Sequence, residues 1–348
     1  MVETVMKRDI RKLKLEELKT FFVEHGDKAF RAQQVYEWLW QKSVKDFDQM
    51  TNLSLPTREM LKAHFVINHI HVDNMQRSTD GTIKNAVKLH DGLIVESVLI
   101  PTEKRITACV SSQVGCSLAC KFCATARLKR MRNLTPDEIY DQVVAIKEQS
   151  ELFFGRPLTN IVFMGMGEPL LNYANVMSAI EKITSQKGLN MASRRLTVST
   201  VGLAKMIIKM ADDGVKFNLA VSLHAALNET RSSIMPINDT NSLEELAEAL
   251  KYWYQKTKSK VTYEYVVWKD INDTREHAQA LLKFCKHVPC KVNLIEYNPI
   301  DDGEFQQADQ HVLDMYMDLL ESNGITTRIR KSRGKDIDAA CGQLANKS

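Results

Sequence analysis

Three cysteines fall within eight residues in the run CSLACKFC, at Cys116, Cys120 and Cys123. Thiolates so spaced on one loop can bind three irons of a cubane 4Fe–4S cluster and leave the fourth iron open. Most such clusters use four cysteines. A site with three keeps a vacant coordination position, and a vacant position implies a ligand that does chemistry. Two plainer readings compete with this one: a zinc site, or thiols buried in a core. Zinc normally wants a fourth ligand, which the run does not supply.

Other groups suited to holding a ligand recur further along. In MGMGEP (Met164 to Pro169), Gly165 and Gly167 would let backbone approach a ligand, and Glu168 could accept bonds from an ammonium. A glycine-rich turn between strand and helix is the ordinary alternative. STVG ends at Gly202, SLH spans Ser222 to His224, and Asn298 follows the strand KVNLIEYN. Hydroxyl, imidazole and amide groups at strand ends suit the carboxylate and ribose of a nucleoside, although polar caps there are routine. Cys341 lies close to the C-terminus in RGKDIDAACGQL, where alanines and a glycine permit a mobile loop. Cys109 sits seven residues before the first cysteine of the run and reads equally well as a core thiol. Cys285 and Cys290 read as structural.

These residues need a scaffold. From about residue 105, strand patterns alternate with helical ones: ITACVSS, LTNIVFMG, RRLTVST, FNLAVSLH, VTYEYVVW, KVNLIEYN and ITTRIRK are separated by six amphipathic stretches. Such alternation means βαβ units around a parallel sheet. Six full units are too few for a closed eight-stranded barrel. The expected fold is α/β, a partial (β/α)6 barrel over residues 102–348 with the seventh strand at an edge. Chemistry in such folds collects at the C-terminal strand ends. Residues 1–70 read as a small helical domain, with Gly26 separating two helices and Pro56 opening a third. Residues 71–101 read as an antiparallel ribbon turned at Asp80-Gly81 and Asp91-Gly92.

The chain has 348 residues, 44% hydrophobic and 26% charged, and no apolar run of membrane-spanning length. Its start lacks the apolar core of a signal peptide. Seven cysteines, an odd number, point to reduced thiols and a cytoplasmic setting. A net charge of +4 only hints at a polyanion. Two local runs say more: Arg127, Lys129, Arg130 and Arg132, then Arg328, Arg330, Lys331, Arg333 and Lys335. Each reads as a solvated face or as a phosphate contact.

Taken together, CVSSQVGC, CKFC, MGMGEP, RRLTVST, SLHAALNETRSSIMPIN, NLIEYNP and DIDAACGQL resemble the RlmN family. These are radical S-adenosylmethionine (radical-SAM) methyltransferases of adenine in ribosomal and transfer RNA. The resemblance spans about residues 85–345, and the helical segment suits the family's N-terminal domain. The sister Cfr family methylates carbon 8 of adenine instead of carbon 2. Pro169 after Gly-Glu is the RlmN form, where Cfr proteins typically have alanine. Met166 departs from the first glycine of the family's GGE form. ATARLKRMRNL departs from a glycine-containing stretch common after the third cysteine.

The resemblance implies that Cys116, Cys120 and Cys123 carry one 4Fe–4S cluster. Gly167, Glu168, Ser199, Ser222, Leu223, His224 and Asn298 would contact S-adenosylmethionine, of which two are used per turnover. One would methylate Cys341; the second, cleaved reductively, would give a radical that takes hydrogen from the S-methyl group. The methylene radical would add to the adenine ring, and Cys109 would release the product through a transient disulfide with Cys341. Glu96 would be the general base, although by its own place in the strand LIVESVLIP it reads as solvent-facing. The implied partners are 23S rRNA, tRNA and an electron donor such as flavodoxin or ferredoxin, with no membrane and nothing that requires more than a monomer.

Overall fold

The computed structural model describes residues 7–300 and 304–346. The first six residues, part of the segment read for a signal-peptide core, lie outside them. Near the N-terminus three helices form where caps and apolar spacing agree: Leu15–Glu24 (α1), Arg31–Trp40 (α2) and Leu55–His64 (α3). The Glu17 carboxylate accepts from the Lys14 N–H, and the Ser54 hydroxyl caps α3 beside Pro56. Gly26, at φ +73°, ends the first helix. Leu18, Phe22, Val35, Leu39 and Leu61 bury one face of each. Two short strands, Arg8–Asp9 (β1) and Phe65–Val66 (β2), pair in parallel and close this module. Two-residue strands carry no periodicity and leave no trace in the sequence pattern.

The module is held to the rest by a buried ion-pair cluster. The Arg11 guanidinium lies 2.8 Å from Asp141, 3.4 Å from Asp137 and 3.8 Å from Asp9. The Tyr140 hydroxyl donates to the Trp40 carbonyl at 2.6 Å. A buried guanidinium is tolerated when anions and hydrogen bonds surround it.

His71–Arg77 (β3), Ile83–Lys88 (β4) and Ile94–Pro101 (β5) are antiparallel, turned at the two Asp-Gly pairs. They are no separate ribbon. Strand β5 pairs with Ile106–Cys109 (β6), so all three extend the main sheet.

After β6 come the short Gln113–Val114 (β7) and Arg132–Asn133 (β8), then Pro136–Phe154 (α4) and Asn160–Phe163 (β9). Tyr173–Thr184 (α5), Leu196–Thr200 (β10), Ala204–Asp212 (α6) and Asn218–Ser222 (β11) follow. The chain then runs through Asn228–Ile234 (α7), Leu243–Thr257 (α8), Val261–Val266 (β12), Arg275–Cys285 (α9), Cys290–Ile295 (β13), Gln310–Ser322 (α10) and Thr326–Arg330 (β14). Among the described residues, β6 and β9 to β14 form seven consecutive parallel strands. The order β14-β13-β12-β11-β10-β9-β6-β5-β4-β3 leaves β14 and β3 as edges, so the barrel is open. Six strand-and-helix units and an edge strand are what the alternation of patterns predicts. Helix α7 is the exception: seven residues, NETRSSI, are too few to show a helical repeat. No helix of the described residues is long and apolar enough to cross a membrane.

Candidate active site

The three thiols are gathered by a loop that leaves and re-enters the antiparallel pair β7–β8. Two left-handed residues fold it, Gly115 at φ +72° and Ala119 at φ +53°. A Cβ on Gly115 would lie 2.4 Å from the Lys129 carbonyl oxygen, so the turn requires glycine. Cys116, Cys120 and Cys123 all line one pocket at the C-terminal ends of the strands. Burial pushes each thiol above its ordinary range, and in each case a neighbouring cysteine adds to the rise. Such thiols ionise readily only against a compensating cation. Among the described residues no three His, Cys, Asp or Glu side chains form a site for a single metal ion. A cubane spreads its thiolates over three separate irons, and three convergent, hard-to-ionise thiols fit that demand.

The pocket continues over the ends of β9 to β13 with a row of polar groups. Glu168 is 3% exposed, and its carboxylate accepts from the Leu170 and Val201 N–H groups at 3.0 Å each. Burial pushes it up to about 7 against those bonds, and no cation is paired with it among the described residues. The Asn298 Oδ1 is buried without a partner, while its Nδ2 donates to the Cys341 carbonyl at 3.2 Å. The Ser199 and Ser222 hydroxyls stand 3.5 Å apart. His224, at φ +57°, is held neutral because burial lowers its pKa to about 3; its Nδ1 accepts from the Val266 N–H. Its ring centroid lies 4.8 Å from that of Phe122, inside the cysteine run. A buried carboxylate with no paired cation among the described residues and an amide oxygen without a partner, in one cavity, fit an ammonium and a nucleoside.

The glycines of MGMGEP line the pocket and also make room for the chain itself. A Cβ on Gly167 (φ +92°) would sit 2.4 Å from the Gln113 Cβ, and one on Gly165 would sit 2.7 Å from the Ser111 Oγ. Both therefore admit the chain's own segment 110–113. The Glu168 N–H donates to Gln113 Oε1 across that seam. Gly167→Ala is expected to cost about 2–4 kcal/mol, read as a fall in thermal midpoint, because clash and positive φ combine.

Cys341 is exposed and lines the same pocket. The expected mobile loop is instead fastened on both sides. The Ala124 N–H donates to the Gly342 carbonyl, the Thr125 hydroxyl to the Leu344 carbonyl and the Gln343 amide to the Pro299 carbonyl. Glu96 anchors the end of this strap. It is 1% exposed, accepts from the Ala345 and Asn346 N–H groups at 2.8 and 3.1 Å, and pairs with buried Lys84 at 3.4 Å. It is therefore not solvent-facing, and it does not line the pocket. Cys109 and Leu223 also lie behind the lining; burial pushes Cys109 up to about 12, with the Cys341 charge adding to the rise and Arg330 opposing it. All seven cysteines are free thiols; Cys285 and Cys290 are buried, and the Cys290 thiol faces the Cys285 carbonyl at 3.6 Å.

The two basic runs divide. Arg132 is held by Asp91 (2.7 Å) and Glu138 (2.7 and 2.8 Å) and so serves the fold. Lys129 and Arg130 are exposed. In the second run, Lys335 pairs with Glu296 at 2.9 Å, and Arg330 turns into the pocket, 3.6 Å from Glu264. The sequence did not mark Arg330, Glu264 or Trp268 as pocket residues. Glu264 and Arg330 both lie on the inner face, and the register between β12, β13 and β14 brings them together.

Residues 8–67 match the model of the ribosomal RNA large subunit methyltransferase N-terminal domain, and residues 110–285 that of the radical SAM superfamily. A probable dual-specificity RNA methyltransferase RlmN of Christiangramia forsetii is 71% identical over 342 residues, covering 98% of this chain and 97% of that protein. The namesake of Listeria monocytogenes (serotype 4a) is 44% identical, covering 93% and 89%. A crystal structure of a radical SAM methyltransferase from Sphaerobacter thermophilus superposes with a TM-score of 0.91 at 37% identity, covering 98% of this chain and all of that one. With the cysteine loop at the mouth of an open barrel and the family's N-terminal module attached, the chain belongs to the RlmN family of radical-SAM methyltransferases.

Proposed function

We propose that this enzyme methylates carbon 2 of an adenine in 23S rRNA and in tRNA, by way of a methyl group carried on Cys341. The observation that carries this reading is that an exposed thiol shares one pocket with one buried and two half-buried thiols, with Glu168, which has no paired cation among the described residues, and with the unpartnered amide oxygen of Asn298. Cys116, Cys120 and Cys123 would hold one 4Fe–4S cluster. Glu168 would take the ammonium of S-adenosylmethionine, and Ser199, Ser222, His224 and Asn298, with Gly167 and the Leu223 backbone, its remaining polar groups. Bound there, cluster and cofactor supply a carbon radical once an external donor such as flavodoxin or ferredoxin provides one electron; two cofactor molecules serve each turnover. The chain's own part is to present Cys341 by its main chain, through Asn298, and to keep Cys109 behind it, protonated at rest. Once deprotonated, Cys109 would form a disulfide with Cys341 as the bond from the Cys341 sulfur to the methylene carbon breaks and that carbon takes up the proton to become the methyl group. Glu96 could take the ring proton only after Ala345 and Asn346 release its carboxylate. The adenine must leave its stack to reach this depth. Reduced thiol chemistry of this kind suits a monomer working in the cytoplasm.

Exposed Lys129 and Arg130 border the cysteine loop and suit phosphate. Replacing both with glutamine is expected to weaken RNA binding and to reduce the slope of log K against log salt by about 1.5. Arg132→Gln, by contrast, strands the buried Glu138 and is expected to cost about 3 kcal/mol of stability. A salt slope unmoved by the double change would return the pair to a solvated face.

The reading is tested by anaerobic reaction of the iron-reconstituted protein with trideuteromethyl S-adenosylmethionine and unmodified rRNA, followed by nucleoside mass spectrometry. Label in 2-methyladenosine with one deuterium lost supports it. Label at carbon 8 would move the enzyme to Cfr-type chemistry, and cofactor cleavage without labelled nucleoside would refute the substrate.

A further inference from the structure

Among the arginines, Arg231 on α7 is fully buried, at 0% exposure, and its bonds all go to neutral oxygens. Its Nε donates to the Leu223 carbonyl at 3.1 Å, one Nη to Asn238 Oδ1 at 2.8 Å and the other to the Val201 carbonyl at 2.5 Å. Arg11 and Arg132, the comparable cases, each face two or more carboxylates. A guanidinium out of water without an anion is among the least favourable arrangements a fold can contain. Burial draws its pKa down to about 10, which leaves it protonated near neutral pH.

The cysteine loop is the neighbour that could supply a negative charge. Val201, whose carbonyl Arg231 holds, packs against the apolar cluster that contains Cys120. The span along α7 is short as well. Ile234, the last residue of α7, accepts at its carbonyl from the N–H of Lys121, next to Cys120, at 3.1 Å. Cys120, Ile234 and Met235 pack in one apolar cluster, so little solvent screens the pair. Val201 and Leu223, whose carbonyls Arg231 grips, border the polar residues of the cofactor pocket.

We infer that Arg231 is the fixed counter-charge of the thiolate-held cluster and raises its reduction potential. This rests on the reading that Cys116, Cys120 and Cys123 hold a 4Fe–4S cluster. Three thiolates on a cluster core of charge 2+ give a net charge of −1, which becomes −2 when an external donor adds one electron. A cation fixed nearby favours the second state more than the first, and in a dry surround the effect is not diluted by water. Arg231 touches no reacting atom; it acts through the thiolates.

The test is a dithionite titration of the reconstituted protein, followed by electron paramagnetic resonance, with iron and sulfide counted for each variant. Arg231→Gln is expected to keep its iron and to lower the reduced-to-oxidised ratio at fixed potential about tenfold, which for one electron is about 59 mV. Arg231→Lys should stay within about threefold of the parent, because it keeps the charge. Asn238→Asp gives a second route should Arg231→Gln fail to fold. It keeps an acceptor on the Nη and adds the carboxylate Arg231 lacks, and the ratio should again fall. An unchanged potential in a variant with full iron would overturn the inference and leave Arg231 as a brace for two carbonyls. Parent protein that binds no iron and sulfide would instead overturn the cluster reading beneath it.

Discussion

Cys341→Ala is expected to abolish RNA methylation, a loss on the order of 10³-fold or more, while iron and sulfide per chain stay at the parent level. The geometry separates the two outcomes. Cys341 is held by its main chain, through the Asn298 amide on its carbonyl, and the following strap is fastened through Gly342, Gln343 and Leu344. Removing one sulfur from an exposed side chain disturbs none of those bonds. Cys116, Cys120 and Cys123 sit on a loop of their own, folded by Gly115 and Ala119, and owe their positions to β7–β8 and α7. A carrier thiol has no substitute in the pocket. Cys109 is behind the lining and burial keeps it protonated, so it cannot take over as the nucleophile. Label transfer to RNA, measured with the iron content of the same preparation, decides the matter. Methylation surviving in the alanine variant would end the carrier assignment. Joint loss of methylation and iron would show that the strap supports the cluster loop and would leave the chemistry of Cys341 open to a serine comparison.

The scaffold was legible because strand and helix periods differ, and because the barrel repeats that contrast six times. Asp80-Gly81 and Asp91-Gly92 marked their turns for an equally local reason. What escaped the sequence depends on distant partners. Arg132 and Arg330 look alike as members of basic runs; one is caged by Asp91 and Glu138, the other aimed into the pocket beside Glu264. Gly167 looks like a ligand-binding glycine and lines the pocket, but its packing against Gln113, which also requires glycine, is not visible in the sequence. Glu96 alternates with apolar neighbours as an exposed strand residue would, but the C-terminal strap covers that face. Arg231 sits in a stretch too short to read as a helix, and its burial follows from how α7 folds back on the cysteine loop. In each case a local pattern could not show the contact that decided the outcome, such as Asp91 for Arg132, Gln113 for Gly167 and the C-terminal strap for Glu96.

Glu168→Gln should be nearly as damaging as loss of Cys341, at an earlier step. A buried carboxylate that accepts two backbone N–H bonds and has no cation is arranged to receive one. Exchange for an amide keeps the shape and removes the charge, so S-adenosylmethionine should bind on the order of 10²-fold more weakly to unreduced protein. The pH dependence gives the sharper signature. Burial raises Glu168 from 4.5 to about 7, and an incoming ammonium selects its ionised form. Affinity in the parent should therefore climb as pH rises towards about 7, by up to about tenfold per unit, and level off above it. The Gln variant should show no such climb. Stability runs the other way in the ligand-free protein. A carboxyl raised on folding binds its proton more tightly when folded, so its contribution is whole below about 4.5 and is lost as pH rises through about 7. The span is on the order of 3 kcal/mol, so Glu168→Gln should melt higher than the parent at pH 8 and alike at pH 5, with saturating cofactor closing the gap. Calorimetric binding and melting curves at pH 5, 6.5 and 8 carry the test. A parent affinity flat across that range, or a variant that binds as tightly, would remove Glu168 from the ammonium site and leave its burial without a ligand to explain it.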